Sequence, residues 1–364
     1  MLAFLWLAVG CAGPSARMPA LPPDEIAAEK RRQEIAQLRD YFSQLNKLDT
    51  VAFRIRTANK KYCGDRIAAH IGLIAVTPQS LPRKFRSFSA EALDLRWTRA
   101  TVVSVVADSP AEKSGIKTGD ELMTFNNERV PVTGTSGWID AFLKANGEKP
   151  VQVIFRRGDE TDMTVAVEPM TGCAIPINLE IDPAPNAQTD YKKIVIYSGI
   201  MRLTRTDAGL AAVVGHELAH VTMGHYEKKM QNMIAGTVGG ILVDGGILLG
   251  GINTNALFTR EFQKAGALAH SVDFEREADY VGAYYAARAG YDLDGVEDTW
   301  RRLGLEHPDT LRIATTHPIT AVRFIQMQKA AAEIAEKKLR NLPMEPELKA
   351  AQAASHSPPP DNRD

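Results

Sequence analysis

The sequence predicts an α+β protein in which a β-rich module precedes a mainly helical domain with a small sheet. Residues 65–167 contain short runs rich in β-branched residues that alternate with turn residues, a pattern typical of strands. From residue 204 onward, apolar residues recur at helical spacing over long segments. Length supports the same division, because 364 residues are enough for two domains.

Composition restricts the possible partners. The net charge of −1 gives no electrostatic reason to expect nucleic acid, and 45% hydrophobic with 24% charged residues is typical of a globular protein. We expect the chain to divide into a signal and spacer, an amphipathic helical region, a β-rich module, a helical domain and a flexible tail, at residues 1–23, 24–62, 63–173, 174–336 and 337–364.

The N-terminus suggests export. Residues 2–9 are apolar but too few to span a bilayer. They lead into Ala8-Val9-Gly10-Cys11, which resembles the lipobox of bacterial lipoproteins. The resemblance implies a lipid anchor on Cys11 that tethers the chain to a membrane, in the bacterial cell envelope on the periplasmic side, as an outer-membrane lipoprotein. A plain secretory signal is the alternative.

Two cysteines remain, Cys63 and Cys173. In an oxidising compartment an even pair suggests a disulfide, here closing a loop of about 110 residues. Two free buried thiols are the alternative.

The region before the β-rich module predicts an amphipathic helix over residues 24–47. Its apolar positions recur every three or four residues, with charges between them: Ile26, Ile35, Leu38, Phe42 and Leu45. We expect this helix to pack against the body of the protein.

The β-rich module contains a recognisable turn sequence, Ser109-Pro110-Ala111-Glu112-Lys113-Ser114-Gly115, followed by Gly119-Asp120 before a strand. It resembles the helix-turn-strand signature of bacterial PDZ domains. Such domains bind an extended peptide at a sheet edge, and the resemblance implies that Ile71, Gly72 and Leu73 form that edge. The alternative is a module that is only a rigid spacer or docks intramolecularly.

The most chemically specific stretch is His216-Glu217-Leu218-Ala219-His220, within an apolar run that no Pro interrupts from residue 207 to 229. Two histidines four residues apart lie on one face of a helix, where both can bind one zinc ion. Glu217 then lies beside the metal, where it can act as a general base. His225 follows His220 by five residues, and on a continuous helix it lies about 140° away, so we do not expect it to be a ligand.

A third ligand is expected from the helix that contains Glu275, Glu277 and Asp279. Glu275 and Asp279 share a face, so Glu275 can bind zinc while Asp279 supports a zinc-bound histidine. On spacing alone, an ordinary acidic helix start explains these residues equally well.

The pair His-Glu-x-x-His and Glu-x-x-Ala-Asp resembles the HtpX-, Oma- and prenyl-protease-type zinc metallopeptidases, family M-48. The resemblance implies that Glu275 is the third ligand and that Asp279 is the matching aspartate. It extends to Thr316-His317-Pro318 and Arg323. It implies that Arg323 lies near the cleft, where it can stabilise an oxyanion. His317 is either a latency ligand for the zinc or a residue of an ordinary turn.

Two further segments flank this motif. Residues 194–198 predict a strand, which in zincins forms the edge on which substrate lies, so Tyr197 is a candidate peptide-binding residue; a buried core strand is the alternative. Residues 233–252 are apolar and rich in Gly, with Asp244 in the middle. They predict a buried or membrane-grazing helical hairpin rather than a membrane span.

Together these features predict an exported zinc endopeptidase with one zinc ion per chain. It hydrolyses envelope or misfolded proteins that its PDZ-type module binds. The alternative is a latent or non-proteolytic holdase that keeps a zinc site, although an intact Glu217 argues against it. A prenyl-protein protease is disfavoured, since the chain lacks several membrane spans.

Overall fold

The structure is a computed structural model that describes residues 15–158, 161–268, 270–306 and 321–349. The apolar N-terminal run, Cys11 and His317 lie outside these residues. Within them, a β-rich part is followed by a mainly helical part, so the predicted α+β class is confirmed.

The strands, numbered in chain order, are β1 (Ile67–His70), β2 (Leu73–Val76), β3 (Ala100–Val105), β4 (Glu121–Phe125), β5 (Glu128–Arg129), β6 (Val151–Arg156), β7 (Met163–Val167), β8 (Met170–Cys173), β9 (Ile177–Glu180), β10 (Ala187–Thr189) and β11 (Ile194–Tyr197). The α-helices are α1 (Pro23–Ala58), α2 (Arg83–Leu93), α3 (Pro110–Lys113), α4 (Thr135–Asn146), α5 (Ser198–Leu203), α6 (Asp207–Thr222), α7 (His225–Leu249), α8 (Leu257–Leu268), α9 (Ser271–Arg288), α10 (Glu297–Glu306) and α11 (Ala321–Leu339).

The β-rich module comprises β1 to β8. Its main sheet has the order β2-β3-β4-β6-β7, with β5 beside β4, and β1 pairs separately with β8. Apolar residues of β4 and β6, such as Phe125 and Phe155, pack with Ile139 and Leu143 of α4 in one core. In this order β2 is an edge strand, as the PDZ resemblance implies, and it starts directly after Ile71 and Gly72.

Helix α1 is longer than predicted, because the predicted segment continues without Pro or Gly to Ala58. Its N-terminal and middle turns pack through Leu38 and Phe42 against α2 and the end of β2. Its second half places Val51 and Ile55 in the core of the helical domain. A single helix therefore packs against both parts of the protein.

The helical domain, residues 177–339, contains a three-stranded sheet in the order β10-β11-β9, with β10 antiparallel and β9 parallel to β11. Helix α6 crosses α9 beneath this sheet, and α11 packs on α9. The shared core includes Leu210, Leu218, Tyr284, Tyr285 and Met327.

The ordered contacts of the helical domain continue beyond residue 337, where the flexible tail was predicted to begin. Helix α11 continues to Leu339, and Met344 then packs against the helical core. The backbone N–H of Glu347 donates to the hydroxyl of Tyr280 at 3.0 Å. This stretch is held by the body of the protein because it supplies one apolar side chain and several polar contacts.

Helices α7 and α8 form a hairpin, whereas residues 233–252, which were predicted to form a hairpin by themselves, belong mostly to the single helix α7. Backbone contact holds the two helices together, since a Cβ on Gly236 would lie 2.1 Å from the carbonyl oxygen of Phe262. Asp244 accepts backbone N–H groups of Phe258 and Thr259, which caps the start of α8. The hairpin is not buried, because Ile241, Leu242 and other apolar residues of α7 are more than half exposed. By length and composition, α7 is also the one helix in the described ranges that could cross a membrane.

The structure joins Cys63 and Cys173 in a disulfide, with Cα atoms 5.6 Å apart, which confirms the predicted pairing. The bond connects the end of the α1 region to the end of β8, beside the β1–β8 ribbon. Both ends of the β-rich module are therefore cross-linked at the border with the helical domain.

Candidate metal centre

The site is built where α6 and α9 cross at backbone contact. A Cβ on Gly215 would lie 2.5 Å from the carbonyl oxygen of Gly282, and one on Gly282 would lie 2.5 Å from the backbone nitrogen of His216. Only glycine at both positions allows this approach. The crossing brings His216 and His220 on α6 to Glu275 on α9.

Three buried side chains converge at this crossing. The Nε2 atoms of His216 and His220 are 3.1 Å apart, and each lies 3.4 Å from a carboxylate oxygen of Glu275. Their donor atoms all lie within 4.8 Å of one another. Zinc takes nitrogen and carboxylate donors at about 2.0–2.2 Å, which places tetrahedral donors roughly 3.4 Å apart. The three predicted ligands therefore fit a zinc ion in both chemistry and spacing.

Asp279 supports His216 from behind. Its Oδ1 lies 2.8 Å from Nδ1 of His216, the ring nitrogen that faces away from Glu275. The carboxylate is fully buried, and the indole N–H of Trp300 donates to it at 3.2 Å. A carboxylate on the far nitrogen fixes the ring orientation and leaves Nε2 as the donor toward a metal.

Arg323 binds the same carboxylate, that of Asp279. Its Nε and Nη2 donate to the two oxygens of Asp279 at 2.7 and 2.8 Å, and its Nη1 lies 3.3 Å from Glu275. The side chain is 3% exposed. Because the guanidinium is committed to two carboxylates inside the protein, this placement favours a positioning role over the predicted oxyanion role.

The contacts between His216, Asp279 and Arg323 change the pKa values of His216 and Asp279. Burial alone would lower the pKa of His216, but its contacts with Asp279 and Glu275 raise that pKa to about 9 in the metal-free site. Burial would raise the pKa of Asp279, and Arg323 together with His216 instead holds it below its usual value. The carboxylate of Asp279 thus stays ionised beside His216.

Glu217 follows His216 on α6 and is 2% exposed. The helical spacing predicts that its carboxylate lies beside the converging donors, next to the ligand candidate His216.

His225 and Glu277 are the residues whose role sequence reasoning missed. Helix α6 ends at Thr222 rather than continuing to residue 229, because Gly224 adopts a left-handed conformation with φ of 66°. The break brings Nδ1 of His225 to 2.8 Å from Nδ1 of His220, while Nε2 of His225 lies 2.7 Å from Glu277. The signal in the sequence is Gly224, a helix terminator immediately before His225.

The prediction that β11 is the substrate edge is wrong. Strand β11 lies between β10 and β9, so its backbone is already paired on both sides. Tyr197, at the end of β11, accepts a hydrogen bond from the side chain of Gln188 at 2.8 Å. The open edge nearest α6 is β10, which pairs antiparallel with β11 through the short connection over residues 190–193.

A recess of about 410 Å³ runs beside β2 in the β-rich module. It is lined by Ile71, Gly72 and Leu73 of the predicted peptide edge, by α4, by one face of α1, and by residues 176–179 of the helical domain. Gly72 has φ of +75°, and a Cβ there would lie 2.4 Å from Cβ of Ser109, so the site requires glycine. The β-rich module, helix α1 and the helical domain therefore all line this recess.

Comparison with known proteins agrees with this division. A model of peptidase family M48 matches residues 177–331, and a PDZ domain model matches residues 71–168. The mitochondrial metalloendopeptidase OMA1 of Schizosaccharomyces pombe is 27% identical over 45% of this chain and 49% of its own length. The putative beta-barrel assembly-enhancing protease of Vibrio cholerae is 27% identical over 40% of this chain and 32% of its own.

Among solved structures, the PDZ domain of HtrA3 bound to a phage-derived ligand matches 29% of this chain and 88% of that chain, at 22% identity and a TM-score of 0.23. The chain spans about half, or less, of the length of the curated relatives described above. The chain therefore carries a peptidase family M48 domain, which contains the converging histidines and glutamate, and ahead of it a PDZ domain.

Proposed function

We propose that the chain is a zinc-dependent endopeptidase whose ligands are His216, His220 and Glu275 and whose general base is Glu217. The observation that supports this most is the convergence of three buried donors on a helix crossing where Glu217, the residue after His216, is also buried. A zinc ion held by these three residues would lower the pKa of a water molecule and polarise a peptide carbonyl.

The chain's own residues supply the proton transfers and the positioning. The carboxylate of Glu217 accepts a proton from the attacking water and then delivers it to the nitrogen of the leaving amine. Asp279 holds His216 in the tautomer that presents Nε2, and Arg323 in turn holds Asp279. His317 lies outside the described residues, and its possible action as a latency ligand stays a prediction.

The substrate chain is proposed to extend along β10. This short strand pairs with β11 on one side and leaves its other edge open among the described strands, close to α6. An extended peptide can add to such an edge through main-chain hydrogen bonds, which suits a protease that accepts varied side chains.

The PDZ domain is proposed to bind protein or peptide substrates in the recess beside β2. Its edge strand, the flanking helix α4 and the glycine at residue 72 support this. A bound segment there contacts α1 and the start of β9 as well, so binding is linked to the peptidase domain.

The location is proposed to be the bacterial cell envelope. The N-terminal run and Cys11 support an exported, lipid-anchored protein, and the disulfide suits an oxidising compartment. A bacterial relative bears the name beta-barrel assembly-enhancing protease, which suits envelope protein substrates.

The first test compares zinc content and casein cleavage of the wild type with Glu217→Gln. We expect both proteins to bind about one zinc ion, because the three ligands are unchanged. Loss of the general base should lower cleavage by at least about 100-fold. Glu227→Gln, a change of an exposed glutamate on the neighbouring helix α7, is the matched control and should cleave like the wild type.

Two outcomes would contradict the proposal. Cleavage by Glu217→Gln at the wild-type rate would remove Glu217 from the mechanism. If neither the wild type nor Glu217→Gln cleaves casein, the next variant is His317→Ala. It should cleave casein if His317 had blocked the zinc. If a zinc-loaded His317→Ala protein also fails to cleave casein, the result would favour the non-proteolytic holdase.

A further inference from the structure

His225 is a buried histidine that the proposed mechanism does not use. It is the first residue of α7, is 1% exposed, and stacks on Phe274 with ring centroids 4.8 Å apart. Both of its ring nitrogens have a partner within hydrogen-bond distance, His220 on one side and Glu277 on the other. A histidine that only fills space does not need two such contacts.

The positions of the hydrogen atoms between His220, His225 and Glu277 can be assigned by elimination. An ionised Glu277 carboxylate only accepts, so Nε2 of His225 carries the proton between them. Nδ1 of a neutral His225 is then a lone pair, and it can only accept the N–H at Nδ1 of His220. His220 is thereby left with a lone pair at Nε2, the nitrogen that points at Glu275.

We propose that Glu277 and His225 together are a positioning unit for His220. The inference rests on the proposed zinc site. Helix α9 then supplies one metal ligand, Glu275, and two carboxylates that hold the ligand histidines from behind. Asp279 holds His216 directly, and Glu277 holds His220 through the ring of His225.

The two carboxylates differ in burial, which bears on the size of the effect. The side chain of Asp279 is 0% exposed, whereas that of Glu277 is 39% exposed and has Lys228 at 3.8 Å. Removal of an outer partner of a metal ligand typically costs about 10–100-fold in metal affinity. For the partly exposed Glu277 we expect the lower end of that range.

The test measures zinc affinity of the full chain by competition with a chromophoric chelator. His225→Leu removes the acceptor and should weaken zinc binding about 10–100-fold. His225→Asn keeps a side-chain carbonyl oxygen near the place of Nδ1, so it should recover most of the affinity. Lys228→Leu is the matched control, since both ring nitrogens of His225 contact His220 and Glu277 rather than Lys228, and it should bind zinc like the wild type.

A double variant separates positioning from folding. If Glu277 acts through His225, then His225→Leu combined with Glu277→Leu should bind zinc no more weakly than His225→Leu alone. Urea unfolding of the metal-free proteins reports any general loss of stability. Equal zinc affinity of the wild type and His225→Leu would overturn this inference alone, whereas a wild type that binds no zinc would overturn the proposed function.

Discussion

At the scale of single residues, the site depends on a buried ion pair behind His216. Asp279 and Arg323 are both nearly inaccessible to water, and their bidentate contact offsets the cost of burying each charge. The same carboxylate orients His216. One pair therefore supports both the stability of the fold and the geometry of the metal site.

Asp279→Asn tests this double role. The amide cannot balance the buried guanidinium of Arg323, and removal of one partner of such a pair typically costs about 3–5 kcal/mol in the free energy of unfolding. Zinc affinity should fall about 10–100-fold, because His216 loses its orienting carboxylate. Urea unfolding of the metal-free protein and chelator competition measure the two effects.

A second variant provides the control. Asp279→Asn combined with Arg323→Met removes both charges, so it should unfold less readily than Asp279→Asn alone while zinc binding stays weak. If the single variant is as stable as the wild type, the buried pair does not have the proposed role.

Local spacing was enough to predict part of this site. His216 and His220 share a helix face at any register, and the fourth-residue spacing of Glu275 and Asp279 likewise holds on any helix. The choice of Glu275 over its neighbours came from the family resemblance, because spacing alone left it open. The roles of Arg323 and Trp300 depend on how α10 and α11 pack on α9, and no local pattern encodes that packing.

At the scale of elements, the decisive contact is the crossing of α6 and α9 at Gly215 and Gly282. Two of the differences from the predicted elements have identifiable local causes. The left-handed Gly224 ended α6 early and turned His225 back toward His220. Strand β11 was expected at an edge, and it became central because β10 pairs with it from the other side.

Gly282→Ala should disturb the crossing. The new methyl group would lie 2.5 Å from the backbone nitrogen of His216, and backbone cannot move aside as a side chain can. Overpacking of this kind typically costs about 1–3 kcal/mol in stability. Zinc affinity should fall as well, since separation of the helices moves Glu275 away from the histidines.

Gly245→Ala is the matched control for that change. It lies in α7, is exposed, and a Cβ there would have no heavy atom within 4 Å. Alanine in a helix interior is favoured over glycine by about 0.5–1 kcal/mol, so this variant should be slightly more stable. If urea unfolding and chelator competition give Gly282→Ala the values of the wild type, the close crossing is not needed.

At the scale of the whole molecule, α1 and the disulfide connect the PDZ domain to the peptidase domain in different ways. Helix α1 packs against both domains, so it acts through buried apolar contacts. The Cys63–Cys173 bond closes the chain on both sides of the PDZ domain and acts mainly on the unfolded state. The two links should therefore be separable by experiment.

Cys63→Ala combined with Cys173→Ala should lower the free energy of unfolding without changing the fold. In the chain-entropy model, closure of a loop with a sequence separation of 110 stabilises by about 4–5 kcal/mol, and native disulfides typically contribute about 2–5 kcal/mol. Zinc affinity should remain, because Cys63 and Cys173 do not contact the metal site and α1 still holds the domains together. A reducing agent should lower the urea midpoint of the wild type and leave that of the double variant unchanged. If the double variant instead loses zinc, the cross-link is needed to place the domains, and the contacts of α1 do not hold them together by themselves.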